Sequence, residues 1–271
     1  MSNAKLTVLS MGWGVQSFTL AAMAANGDLE KPDYIIHADT NYERTGTYLF
    51  AEKMTPFLEG KGMDVVTVRD VKATSGNGSH EWNGTFIPAF TLDGSGNQGQ
   101  LRRQCTHRWK IAPVRRAISE ILSLMDLPKS SGIVDQWLGI SMDEVVRAKD
   151  SDAKYISHVF PLLENKMSRA DCVGYLQRNG LPIPEPSSCT FCPYHSKSAW
   201  RKMKDEGGSD WNQAVLVDDH LRNQRPPYPL FVHPSRVPLS EAVHTAKDMG
   251  YAQSDMFDVE DAECDSGYCF M

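Results

Sequence analysis

Ser10, Gly12, Gly14 and Ser17 stand between an apolar run, Leu6 to Leu9, and an Ala/Met/Leu run, Leu20 to Ala25. Two glycines in so short a link let the backbone turn tightly and bring its N–H groups close to a bound group. A helix starting behind them adds unpaired N–H groups and the positive end of its dipole. The chemistry expected here is the cradling of phosphate or another anion, with Ser10, Gly12, Gly14, Gln16 and Ser17 lining the cradle. Gly12-Trp13-Gly14-Val15-Gln16-Ser17 is also one residue away from the dinucleotide fingerprint G-x-G-x-x-G/A, and a turn without a ligand has the same outline.

Sulfur supplies the second constellation. Cys189-Thr190-Phe191-Cys192 has the C-x2-C spacing that places two thiolates on one metal or cluster. The chain has no second C-x2-C, so the zinc-ribbon pattern is not met and the other ligands must come from afar. Cys105 is the natural third, because it lies in a basic segment expected to border the cleft. The fourth comes from Cys269, Cys264 or His195, of which Cys269 is the one carried forward. A thioredoxin-type dithiol is the alternative, but the helix-start context it needs is missing. Cys172, beside Val173 and near Leu176 on a helical stretch, reads as a buried small hydrophobe.

Charge is unevenly spread. From Gly94 to Ser119 there is no Asp or Glu, while Arg102, Arg103, Arg108, Lys110, Arg115 and Arg116 all fall inside. Next to an anion cradle this run reads as counter-charge for phosphate or sulfate. The tail is the reverse, with Asp255, Asp258, Glu260, Asp261, Glu263 and Asp265 around Cys264 and Cys269.

The elements that position these groups alternate. Leu6–Leu9 predicts a strand and Leu20–Ala25 lies in a helix; Tyr34 to Thr40 predicts a strand ending in Asp39 and Thr40; Thr45 to Leu58 predicts a helix, and Asp64 to Arg69 a third strand. Val71 to Gln100, rich in Gly, Ser and Asn, reads as a lid or substrate-facing loop. A helix is expected from Val114 to Met125 with Pro113 at its start, then a strand from Ile133 to Ile140 that leads into Gly139, Ser141 and Arg147. Ser168 and Asp171 form a capping box for a helix to Asn179. Alternation of this kind predicts an α/β fold, a doubly wound, mostly parallel sheet with ligands beyond the carboxyl ends of its strands. The expected organisation is a nucleotide-binding domain over 1–200 that includes the cysteines, and a C-terminal helical and irregular extension over 201–271. Trp200, Trp211 and Pro226 to Pro238 are expected to cover the main sheet.

The 271 residues and a 41% hydrophobic share suffice for a real core, and a net charge of −6 argues against broad non-specific nucleic-acid binding. No apolar run reaches membrane-spanning length and the N-terminus lacks signal-peptide features, so a cytoplasmic home without membrane contact is expected. Six cysteines in a reducing compartment point to metal, cluster or thiol chemistry before disulfides.

The loop from Ser10 to Ser17, with serine at both ends, resembles the pyrophosphate loop of the adenine-nucleotide alpha-hydrolase (PP-loop) superfamily, usually S-G-G-x-D-S, with Gln16 where that pattern has Asp. Gly14-Val15-Gln16-Ser17 is similar to the loop of phosphoadenylylsulfate (PAPS) reductases, in which Gln takes this place. Ala38-Asp39-Thr40, Tyr42, Thr47-Tyr48 and Phe50 resemble that family's second-strand block. Cys105, Lys110 and Pro113 with the later C-x2-C resemble the ligand pattern of adenylylsulfate (APS) reductases and related sulfurtransferases that hold a [4Fe–4S] cluster, although Gln104 replaces the first of their paired cysteines. Glu263-Cys264 resembles the Glu-Cys near the C-terminus of sulfonucleotide reductases, without the Gly-(Leu/Ile)-His that follows it there.

The resemblance covers most of Leu6 to His195 and the last few residues. It implies an adenine nucleotide (PAPS, APS or ATP) bound at the loop, with Asp39 and Thr40 toward ribose or adenine and Gly139 at the cleft. Lys110, Arg147 and Arg102 or Arg103 would neutralise a phosphosulfate. Cys264 would attack its sulfur, beside a [4Fe–4S] cluster (zinc being the alternative) on Cys105, Cys189, Cys192 and Cys269. A thioredoxin-like reductant would be the partner. An ATP-dependent sulfurtransferase acting on tRNA or DNA is the main alternative, and a non-catalytic nucleotide-binding module the other.

Overall fold

The computed structural model describes residues 6–69, 86–224 and 228–244. Cys264, Cys269, Trp82 and the acidic tail lie outside the described residues. In chain order the elements are β1 (Leu6–Met11), α1 (Val15–Asn26), β2 (Tyr34–Asp39), α2 (Thr45–Gly60), β3 (Asp64–Arg69), β4 (Phe90–Leu92) and β5 (Gln98–Gln100). A π-helical stretch, Thr106–Ile111, runs into α3 (Ala112–Leu124), then β6 (Val134–Trp137), a 3-10 turn (Met142–Arg147) and β7 (Ile156–Val159). The rest comprises α4 (Pro161–Glu164), α5 (Arg169–Arg178), α6 (Lys197–Glu206), α7 (Gly208–Asn223), β8 (Leu230–Phe231) and α8 (Leu239–Ala242).

Five strands form one parallel sheet in the order β3-β2-β1-β6-β7. Their alternation is read on both faces because both are covered. Leu9, Met11 and Ile35 pack under α1, α2 and α5 through Phe18, Leu20, Phe50, Met54, Leu58, Cys172 and Leu176. Leu6, Val8, Ile36 and Val134 face the other way, onto Val114, Ala117, Ile118 and Leu122 of α3. This is the doubly wound arrangement the sequence predicts. The direction of winding reverses between β1 and β6, so the crevice at their carboxyl ends is the place where such sheets bind ligands.

Local chemistry fixes the ends. Gly27, at φ +87°, closes α1 in the left-handed conformation, and the Asp28 N–H returns to the Met23 carbonyl. Ser168 and Asp171 cap α5 reciprocally, as their spacing predicts.

Three expectations change. The stretch read as a lid contains, in its described part, an antiparallel hairpin: Asp93 Oδ1 accepts from the Ser95 and Asn97 N–H groups, so a tight turn joins β4 to β5. The strand expected to Ile140 ends at Trp137, because the chain folds back and the Ile140 N–H donates to the Leu138 carbonyl. Trp200 covers a second sheet, β5-β4-β8, instead of the main one. That small sheet has its own apolar face, and the stripes Ala199, Trp200, Met203 on α6 and Ala214, Val217, Leu221 on α7 close over it. Buried Asp218 ties this unit together by accepting from the Val232 and Leu239 N–H groups at 3.0 and 2.9 Å. No helix among the described residues is long and apolar enough to cross a membrane.

Candidate functional site

The loop after β1 is held from below by Trp13. Its φ of +58° lies in the left-handed region, an unusual place for a bulky side chain. The indole is 1% exposed and meets His37 and Phe50 edge to face, so its burial anchors the turn from which Gly12 and Gly14 emerge. Conformations of this kind cost about 1–3 kcal/mol and cluster at ligand clamps. His37 adds a second staple: its Nδ1–H donates to the Met11 carbonyl at 3.0 Å, joining the ends of β1 and β2. Burial holds the His37 imidazole below its usual pKa, and that outweighs the Met11 hydrogen bond.

Above this anchor the Gly12 N–H donates to Ser17 Oγ at 3.2 Å, and the Ser17 hydroxyl donates to the Gly14 carbonyl at 3.3 Å. The loop therefore curls around a single hydroxyl oxygen at the start of α1. Ser10 lies below, buried, its Oγ accepting from Gln136 Nε2 of β6 at 2.7 Å. Gly139 closes the other wall. A Cβ on Gly139 would stand 2.7 Å from Ser17 N and 2.9 Å from Ser17 Cα, so only glycine lets the segment just after β6 touch the first turn of α1.

Two arginines belong to this crevice. Arg147 is buried with Nη1 on Glu144 Oε2 at 2.6 Å, and burial, opposed by Arg147, raises the Glu144 pKa. Arg169, at the head of α5, donates from Nη1 to Gln16 Oε1 at 3.3 Å, while its backbone N–H is taken by Asp143 Oδ2. Sequence reasoning missed Arg169; its only local signal is its place directly after the Ser168 cap.

Asp39 stands at the end of β2, surrounded by protein donors. Its Oδ1 accepts from the Asn41 N–H and the Tyr48 hydroxyl at 2.7 and 2.8 Å, and its Oδ2 from Arg69 Nε and Nη2 at 2.8 and 2.7 Å. Burial alone would raise the Asp39 pKa; those donors win and hold it below the usual carboxylate range. Burial, together with the same contact, raises the Tyr48 phenol well above its normal value.

The cysteines meet one turn further on. Cys105, Cys189 and Cys192 line one cavity with Thr40, Thr106, Trp109, Lys110, Arg103 and Tyr194. Two features bring this about. The π-helical stretch carries Thr106, Trp109 and Lys110 along one wall behind Cys105. The 189–192 loop is stitched to the segment after β2, with the Thr190 N–H on the Tyr42 carbonyl at 2.8 Å and the Arg44 N–H on the Ser188 carbonyl at 3.0 Å. Thr40 Oγ1 lies 3.5 Å from Cys189 Sγ and donates to Glu43 Oε1 at 3.2 Å. Lys110 Nζ pairs with that same oxygen at 3.1 Å; the two charged residues are 6% and 3% exposed. Glu43 is thus the second residue that sequence reasoning overlooked.

None of these three cysteines forms a disulfide, nor does Cys172, whose burial pushes its pKa up to about 11. Among the described residues no three His, Cys, Asp or Glu side chains converge tightly enough to form a ready site for one metal ion. His195 is committed locally: Nε2–H donates to the Cys189 carbonyl at 2.9 Å, the ring packs on Trp200, and burial lowers its pKa to about 4. Arg102 is exposed, and Arg103, which lines the cavity, lies over the Tyr194 ring at 5.7 Å.

No family model matches the chain, and no curated protein does. Among solved structures the chain is similar to PAPS reductase from Candida auris in its phosphate complex, with 14% identity, 68% of this chain and 77% of that one covered, and a TM-score of 0.46. The assignment of site residues rests on the geometry above.

Proposed function

We propose that this chain is an adenine-nucleotide-binding enzyme of the PP-loop kind that reduces a sulfonucleotide. One observation carries the reading: a glycine-built helix mouth and a three-thiol cavity both open from the carboxyl ends of neighbouring strands, β1 and β2. Anion chemistry and sulfur chemistry then share one edge of the sheet.

In this reading the N–H groups at the start of α1 receive the nucleotide phosphate. Arg147 and Arg102 or Arg103 contribute positive charge along the crevice, and Lys110 holds the wall of the cavity through Glu43. Asp39 acts through Arg69 and Tyr48, fixing the end of β2 beneath the nucleoside. Cys264 supplies the nucleophile: a bond forms between its Sγ and the sulfonate sulfur while the sulfur–oxygen bond to the nucleotide breaks. The products of that step are the nucleotide phosphate and an enzyme thiosulfonate. A thioredoxin-like dithiol supplies two electrons, releasing sulfite and regenerating the thiol as it becomes a disulfide. Cys105, Cys189 and Cys192, which line one cavity, would hold a [4Fe–4S] cluster with a fourth ligand such as Cys269, and the cluster would contribute electrostatically to the site.

The second reading, an ATP-dependent sulfurtransferase with a nucleic-acid acceptor, draws on one feature. Arg103 and Tyr194, which is 42% exposed, give the cavity a cationic and aromatic rim of the kind on which bases stack.

The test is to incubate the protein separately with PAPS and with APS, each with reduced thioredoxin, and in parallel with ATP and tRNA or DNA. Sulfite release that Cys264→Ser abolishes is the expected result. AMP and pyrophosphate formed only with nucleic acid would replace the first reading by the second. Nucleotide binding without product would leave a module without turnover and refute both.

A further inference from the structure

We infer that Arg169 is a binding residue for the charged end of the nucleotide, and that Gln16 aims it. The inference deepens the proposed function and rests on nucleotide binding at the α1 mouth. Gln16 is the second residue of α1 and is buried, so its amide has little rotational freedom. Its Oε1 receives Arg169 Nη1 at 3.3 Å. The backbone of Arg169 is fixed independently, by the Ser168 cap that starts α5 and by Asp143 Oδ2 on the Arg169 N–H. Asp143 follows β6, so the guanidinium stem is pinned from the far wall of the switch-point crevice while its tip reaches the near wall.

The chemistry of the Gln16 contact matters more than its strength. An amide oxygen orients a guanidinium without cancelling its charge, whereas a carboxylate in the same place would form an ion pair and add a negative charge at the helix mouth. A planar guanidinium is also suited to two-point contact with phosphate or sulfate oxygens. Asp143 and Glu144 already bear on Arg169, and residue 16 adds to them either a neutral amide or, as Glu, a further negative charge at the helix mouth. Its effect on the nucleoside is small.

Calorimetric binding of AMP and of adenosine separates these contributions. Gln16→Glu is expected to weaken AMP binding by about tenfold or more while adenosine binding stays within about twofold, because one charge-assisted contact is worth that much. Thermal stability of Gln16→Glu should stay level or rise, since the new carboxylate faces Arg169. Arg169→Gln should weaken AMP binding to a similar degree, and Arg169→Lys should restore part of it. Were the pair purely structural, Arg169→Gln would lower stability and AMP affinity would change no more than adenosine affinity.

If the wild-type chain binds AMP and both Gln16→Glu and Arg169→Gln bind it equally well, the role of Arg169 is refuted and nucleotide binding survives. If the wild-type chain binds neither AMP, PAPS, APS nor ATP, the proposed function fails and takes this inference with it. Arg169 is only partly buried at a capped helix start, so Arg169→Gln remains decisive should Gln16→Glu fail to fold.

Discussion

Gly139→Ala isolates the contact that shapes the proposed anion cradle. The added Cβ would lie 2.7 Å from Ser17 N, 2.9 Å from Ser17 Cα and 3.0 Å from the Gln16 carbonyl carbon. All three atoms are backbone in the first turn of α1, so no side-chain rotation relieves the clash. Forcing one methyl into packed surroundings costs about 1–3 kcal/mol, and a cost near the middle of that range is expected here. Relief must come from moving β6 or the start of α1, and either motion displaces the N–H groups of the cradle. Urea unfolding should give a midpoint shift with unchanged slope, together with AMP binding weakened by about tenfold or more. Gly60→Ala is the control, because it lies at the end of α2 with nothing within 4 Å of the new Cβ. It should be neutral or stabilise by up to about 1 kcal/mol. If Gly139→Ala unfolds and binds as the parent chain does, the close approach of the segment after β6 to α1 is refuted.

Two further outcomes are expected. Lys110→Met leaves Glu43 ionised in a buried site and should cost about 3 kcal/mol or more, while Lys110→Met with Glu43→Gln should recover at least half; urea unfolding of the four chains of that cycle checks it, and an undiminished stability in Lys110→Met would refute a buried pair. The lowered His37 pKa makes stability pH-dependent: the unfolded chain takes up a proton near pH 6.5 and the folded chain only below that, so stability is full above pH 6.5 and declines as pH falls. Unfolding midpoints at pH 7.5 and 5.5 test this, with the difference expected to shrink in His37→Asn and a pH-independent contribution refuting it.

How far the fold could be read in advance is itself explained by physics. The sheet was legible because burial on both faces leaves short, dense apolar runs, and Leu6–Leu9 and Tyr34–Ala38 carry them plainly. The cap of α5 was legible because Ser168 and Asp171 satisfy each other within four residues. The β4–β5 hairpin was hidden by its composition, since Gln98, Gly99 and Gln100 form a strand only through pairing with Phe90–Leu92. Trp200 was placed on the wrong sheet for a related reason: periodicity shows that a helix has an apolar face and says nothing about which neighbour covers it.

The same distinction separates the legible and illegible parts of the site. Gly12, Gly14 and Ser17 announce a turn because their backbone freedom and hydroxyl chemistry are local properties. Glu43 and Arg169 announce nothing, because their roles exist only through partners 67 and 153 positions away, Lys110 and Gln16. Asp39 shows how the omission misleads. Read alone at a strand end it offers acceptors to a ribose, yet parallel pairing of β2 with β3 brings Arg69 opposite it, and α2 delivers Tyr48. A carboxylate surrounded by such donors is stabilised in its charged form and serves as an anchor. The cation it holds is the exposed partner, with the Arg69 side chain 56% exposed. At residues 16 and 39, therefore, buried acceptors position guanidinium groups, Gln16 holding Arg169 and Asp39 holding Arg69.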